Sequence, residues 1–120
     1  MTETPNKIYD LEERTFQFAK RVAVFCKALL KTATNSEYGK QVIRSSGSIG
    51  ANYIEANEAL SKKDFQMRIK ICRKEAKETV YWLRLIIETN SEESMRDGAP
   101  LLQESTELKK ILSSILEKSL

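Results

Sequence analysis

Between residues 62 and 77 seven bases, Lys62, Lys63, Arg68, Lys70, Arg73, Lys74 and Lys77, stand against two acids, Asp64 and Glu75. On a helix turning about 100° per residue, Lys63, Gln66, Lys70, Arg73, Lys74, Lys77, Tyr81 and Arg84 fall within roughly one 100° arc. Such a stripe offers ammonium and guanidinium groups to successive phosphates of a polyanion, with Tyr81 at hand for base stacking. On this reading the nucleic-acid-binding residues are Lys63, Lys70, Arg73, Lys74, Lys77 and Arg84. The alternative is a solvated face whose charges pair with neighbouring helices. Residues 88 to 107 supply such partners, with Glu88, Glu92, Glu93, Asp97, Glu104 and Glu107 against Arg96 alone.

Other chemistry is scarce. GSIG, residues 47–50, matches the G-x-x-G spacing of nucleotide-clamping loops, but that loop needs strands beside it and none is predicted. No Lys-Ser or Lys-Thr follows the glycines, so it is no Walker loop. The chain has no histidine, which removes Ser-His-Asp and Cys-His catalysis, the Glu-x-x-His sets of di-iron bundles and the His ligands of common zinc enzymes. Glu55 and Glu58 share a helix face but have no electrophile site or metal partner, so a solvated or paired role is expected. The sequence predicts no enzyme, no cofactor and no metal.

These residues need a scaffold. A chain of 120 residues fits one domain with one modest core, and only 4 Gly and 2 Pro favour a few long helices over many short strands. The net charge of +3 is too mild to argue for nucleic acid by itself. No apolar run reaches about 18 residues, and MTETPNKIYD lacks a signal-peptide core, so no membrane span and a cytoplasmic location are expected. Cys26 and Cys72 lie in apolar helical contexts and read as buried thiols of a reducing compartment.

The first helix is predicted from Asp10, spaced to Glu13 as in a capping box, to about residue 31. Leu11, Phe18, Val22, Phe25 and Leu29 form its seam, with Thr15 filling the gap. Residues 32–36 read as a break. In the second helix Val42, Ser46, Ile49, Tyr53, Ala56 and Leu60 form one seam, and Ile43, Gly47, Gly50, Ile54 and Asn57 step likewise on the adjacent face. RSSGSIGANYIEAN, residues 44–57, is therefore a helix, whose glycines cost roughly 1 kcal/mol each relative to Ala and are expected to admit a neighbouring backbone.

Ser61 and Asp64 make a second capping-box pattern, opening a third helix that reaches about residue 89. Its seam is Phe65, Ile69, Cys72, Ala76, Val80, Leu83 and Ile87. Residues 90–98 read as a polar connection and Pro100 as part of the first turn of a fourth helix, which runs through Leu101, Leu108 and Leu112 to about residue 118. The fold class is all-α, an antiparallel up-down-up-down four-helix bundle, in one domain over residues 1–120 with residues 1–9 as a flexible tail. The apolar arcs of the second and third helices, with Ile71, Trp82 and Leu85 beside the seam, are broader than such a core needs and predict self-association.

SIGANYIEA, residues 48–56, resembles the S-I-x-A-N-I-x-E-A/G signature of the four-helix bundle proteins also called 23S rRNA intervening-sequence proteins, some of which are encoded in insertions within bacterial large-subunit rRNA genes. YDLE at 9–12 and SKKDF at 61–65 resemble the openings of that family's first and third helices, and the likeness spans about residues 9–119. Tyr53 departs from the pattern, where the family often has Ile. The resemblance implies an antiparallel four-helix bundle that assembles as a ring-like homopentamer, with no established enzyme activity. A related bundle, the accessory protein of diversity-generating retroelements, is a basic pentamer that binds nucleic acid, which is a likeness of fold. Carried onto this chain, the signature residues Asn52 and Glu55 read as structural, an amide and a carboxylate that fix the second helix against a neighbour. The expectation is a non-enzymatic homo-oligomer, a pentamer, that binds RNA through its basic surface. The competing expectation is a scaffold whose charges mate protomers or a protein partner.

Overall fold

The structure, a computed structural model, describes residues 11–120. Four helices follow one another, α1 Leu11–Lys27, α2 Ala33–Asn57, α3 Lys62–Glu88 and α4 Glu92–Ser119, and the described residues contain no strand. Links this short join antiparallel neighbours. Cross-helix bonds agree: Asn57 at the end of α2 donates to Glu12 at the start of α1 (2.8 Å), and Gln66 near the start of α3 donates to the Ser119 carbonyl at the end of α4. α1 packs on α2, α2 on α3, α3 on α4, and α4 closes on α1 through a slighter contact. The fold is the expected up-down-up-down four-helix bundle.

Hydroxyl caps set where the later helices begin. Thr32 accepts from the Asn35 amide, Ser61 from Asp64 and Ser91 from Ser94, each cap satisfying an orphan N–H at about 1 kcal/mol. Four boundaries differ from the sequence reading, the first being the end of α2, which stops at Asn57 and leaves Leu60, read as part of its seam, 98% exposed beyond the helix. α1 stops at Lys27, where Ala28 and Leu29 turn back onto the Phe25 and Cys26 carbonyls. Residues 32–36 are the cap and first turn of α2 rather than a break. Residues 90–98 are no connection: all but the first two belong to α4, and Pro100 lies well inside that helix. The first turns of α4 pack without a large side chain. Gly98 is buried, and a Cβ there would stand 2.8 Å from Ile87 Cγ1 and 3.1 Å from Phe25 Cζ. Such a contact leaves no apolar periodicity to read. The expected cap at Asp10, the tail at 1–9 and the first half of YDLE lie outside the described residues.

The core is built from Leu11, Phe18 and Val22 of α1, Val42, Ile49 and Tyr53 of α2, Ile69, Cys72 and Leu83 of α3, and Leu108 and Leu112 of α4. The second apolar face expected on α2 is not covered. Ile43 and Ile54 are each 47% exposed and Gly47 meets nothing within 4 Å, because α2 has helices only on its α1 and α3 sides. The close approach occurs at Gly50 alone, against Thr15 of α1. On α3, Thr79 and Ile86 take buried places and Val80 is half-buried. Trp82 is not spare surface either, since its ring packs 5.9 Å from that of Tyr38 against the core. Uncovered apolar side chains lie on several helices, among them Phe16 and Val24 of α1, Ile43 and Ile54 of α2 and Met67 of α3.

Candidate functional site

α3 and α4 flank a cleft of about 420 Å³ lined by Lys70, Arg73, Lys74 and Lys77 of α3 and by Lys109 and Ser113 of α4. Packing puts them there. Ile69, Cys72 and Ala76 bury one edge of α3 in the core that Leu108 and Leu112 of α4 share, so the bases beside that edge emerge along the rim. The Ser105 hydroxyl donates to the Ala76 carbonyl at 3.0 Å and fixes the register. Lys109, one turn on from Ser105, is then carried opposite the turn that holds Arg73. With about 5.4 Å per helical turn, Lys70, Lys74 and Lys77 present cations roughly one turn apart.

Nearby acids do not neutralise the cleft. Among the described residues Lys70, Arg73, Lys77 and Lys109 make no ion pair, and Lys74 reaches only Glu75, at 3.8 Å. Glu75 is buried and turned toward α2, where Arg44 Nη2 stands 3.4 Å from its Oε1 without a hydrogen bond and 3.1 Å from Glu78. The acids of this part of α3 thus serve the α2 side. Glu104, from the acidic run, receives two hydrogen bonds from Arg14 (2.6 and 2.9 Å), joining α4 to α1.

Of the six stripe residues, four line the cleft. Lys63 is exposed in the first turn of α3 and lies outside it. Arg84 pairs with Glu88 at 3.5 Å in a separate depression shared with Tyr81 and Leu85. Tyr81 meets Trp82 edge-on, with ring centroids 5.1 Å apart. The sequence reading missed Lys109, because only the α3–α4 register shows which side of α4 faces the stripe. The signature residues separate too. Asn52 accepts from Arg68 of α3 (3.2 Å) and donates to the Ser48 carbonyl (2.9 Å). Glu55 is exposed, and its carboxylate makes no hydrogen bond or ion pair among the described residues.

The remaining candidates assemble nothing reactive. GSIG lies in mid-helix, and no described residue has a positive φ. Burial pushes the Cys26 thiol up to about 11 and Cys72 to about 12, so both stay protonated and poorly nucleophilic at neutral pH. No group of three or more Cys, Asp or Glu converges on a metal-sized site among the described residues. No described helix is long and apolar enough to cross a membrane.

Fold and cleft together define the class, a small four-helix bundle with a cationic cleft between its last two helices. The chain belongs to the family described as 23S rRNA-intervening sequence protein, whose sequence model matches residues 8–114. Among solved structures it is similar to a protein of unknown function from the S23 ribosomal protein family of Bacteroides thetaiotaomicron VPI-5482. The two are 36% identical over 88% of this chain and 96% of that one, with a TM-score of 0.75. No curated protein matches the chain. Neither similarity indicates an enzyme family.

Proposed function

We propose that this protein is a non-enzymatic, self-assembling bundle of the cytoplasm that binds RNA through the α3–α4 cleft. The observation that carries the reading is the convergence of Lys70, Arg73, Lys74, Lys77 and Lys109 on one cleft with a single weak acidic contact. Cations held this close repel one another, and an anion that bridges them relieves the repulsion. The family's description names 23S rRNA, so RNA is the first polyanion to test. Lys63 and Arg84 continue the stripe about 10 Å beyond either end of the cleft, at about 1.5 Å per residue. Self-assembly is supported by the uncovered apolar side chains of α1 and α2. In a ring each protomer repeats the cleft, so a mild charge per chain becomes a multivalent surface.

The test is an anisotropy titration of a labelled, folded RNA at several salt concentrations. Five cations on phosphates predict a log–log slope of about −4 to −5 for a helical target. A salt-independent affinity, or none at low salt, would remove this reading. The acidic start of α4, with Glu92, Glu93 and Asp97, favours a second reading, in which a neighbouring protomer's acids fill the cleft. That scaffold would dissociate with added salt and ignore RNA.

A further inference from the structure

We infer that the α3–α4 cleft holds one phosphate strand of a base-paired RNA segment and does not take up unstacked single strands; this rests on the RNA-binding reading above. The lining contains four lysine or arginine side chains from α3, one lysine from α4 and a serine, and no aromatic ring. Tight sequence-tolerant binding of single strands relies on rings that stack successive bases as well as on charge. The exposed ring that could serve, Tyr81, stands outside the cleft, edge-on to Trp82 and grouped with Arg84, Leu85 and Glu88. The charges that remain free therefore meet backbone alone.

Charge alone discriminates by charge density. A duplex carries two phosphate strands along one axis, and each neutralised phosphate releases more counterion than on a single strand, with salt slopes of about −0.9 against −0.7 per contact. A duplex also presents its phosphates in a rigid row. Cations on α3 one turn apart, at about 5.4 Å, match such a row without first ordering a flexible chain. Lys109 closes on the row from α4. A site of this kind reads neither base identity nor groove edges, so sequence preference is expected to be slight.

Three labelled probes at about 0.1 M salt make the test: a 20-base-pair RNA duplex, one of its strands in a non-pairing sequence, and the duplex with permuted sequence. The full chain is expected to bind both duplexes equally and at least about tenfold more tightly than the single strand. Tyr81→Ala is expected to bind all three as the parent does, and Lys109→Glu to weaken the duplexes by about tenfold or more. Equal or tighter binding of the single strand, or a loss with Tyr81→Ala confined to it, overturns the inference and leaves RNA binding standing. No binding of any probe overturns both.

Discussion

The Cβ that Gly50 lacks would stand 2.8 Å from Thr15 Oγ1 and 3.2 Å from Thr15 Cβ. That hydroxyl is not free to retreat, because it donates to the Leu11 and Glu12 carbonyls at 2.8 and 3.0 Å. α1 and α2 therefore meet backbone to side chain at this level. Gly50→Leu is expected to destabilise the fold by roughly 1 to 3 kcal/mol through overpacking. Gly47→Ala, which meets nothing within 4 Å, is expected to gain roughly 0.5 to 1 kcal/mol of helix propensity. Thermal melts of the two variants should move in opposite directions; movement in the same direction would contradict the placement.

Arg14 and Glu104 form the charged clasp across the slighter α1–α4 contact. Both side chains are half-buried, and the Arg14 pKa is raised, first by its hydrogen bonds to Glu104. Glu104→Gln is expected to cost about 1 to 2 kcal/mol in denaturant unfolding, as loss of a charge-assisted bidentate pair does. A double-mutant cycle with Arg14→Met should return most of that cost as coupling. Zero coupling would mean that solvent screens the pair.

Of the two thiols expected to be buried, Cys72 lies in the core and Cys26 is half-buried at its margin. Their raised pKa values mean that their contribution to stability is complete below the unfolded value of 9.0 and is lost as pH rises through about 11 and 12. Native protein at about pH 8 should therefore react with iodoacetamide far more slowly than denatured protein, and Cys72, the more buried, more slowly than Cys26. Fast alkylation of Cys72 in the native state, read by mass spectrometry, would contradict the core described here.

The proposed assembly should depend on the uncovered α2 face that carries Ile43 and Ile54. Ile43→Lys with Ile54→Lys is expected to reduce the proposed multimer to single chains while leaving the far-ultraviolet helical signal unchanged. Light scattering at micromolar concentration reads the mass. A parent that is already monomeric would end the assembly proposal, and an unchanged multimer in the double variant would move the interface elsewhere.

Much of this bundle was readable from spacing, and the failures share a physical origin. Seams of large side chains, such as Phe18–Val22–Phe25 and Ile69–Cys72–Ala76, announce helices because burial repeats with the helical period. The first turns of α4 carry no such signal, since Gly98 packs there by having no side chain. A single helix could not show that α2 would lack a neighbour on its Ile43–Ile54 face, because that depends on how many helices surround it. The α3 stripe was legible because it lies on one helix. Lys109 was not, since its place in the cleft depends on the Ser105–Ala76 register, which is a tertiary fact.

The most direct test of RNA binding at the cleft is the affinity of a variant carrying Lys70→Glu, Lys74→Glu, Lys77→Glu and Lys109→Glu, measured by anisotropy against folded RNA at about 0.1 M salt. All four positions lie outside the buried core, so the helical signal and oligomer mass should match the parent. A control reversing Lys20, Lys27, Lys31 and Lys118, four lysines outside the cleft, separates local from global charge. The cleft variant is expected to lose binding by at least about a hundredfold while the control keeps most of it. A cleft variant that binds as the parent does, or a control that loses as much, would contradict it.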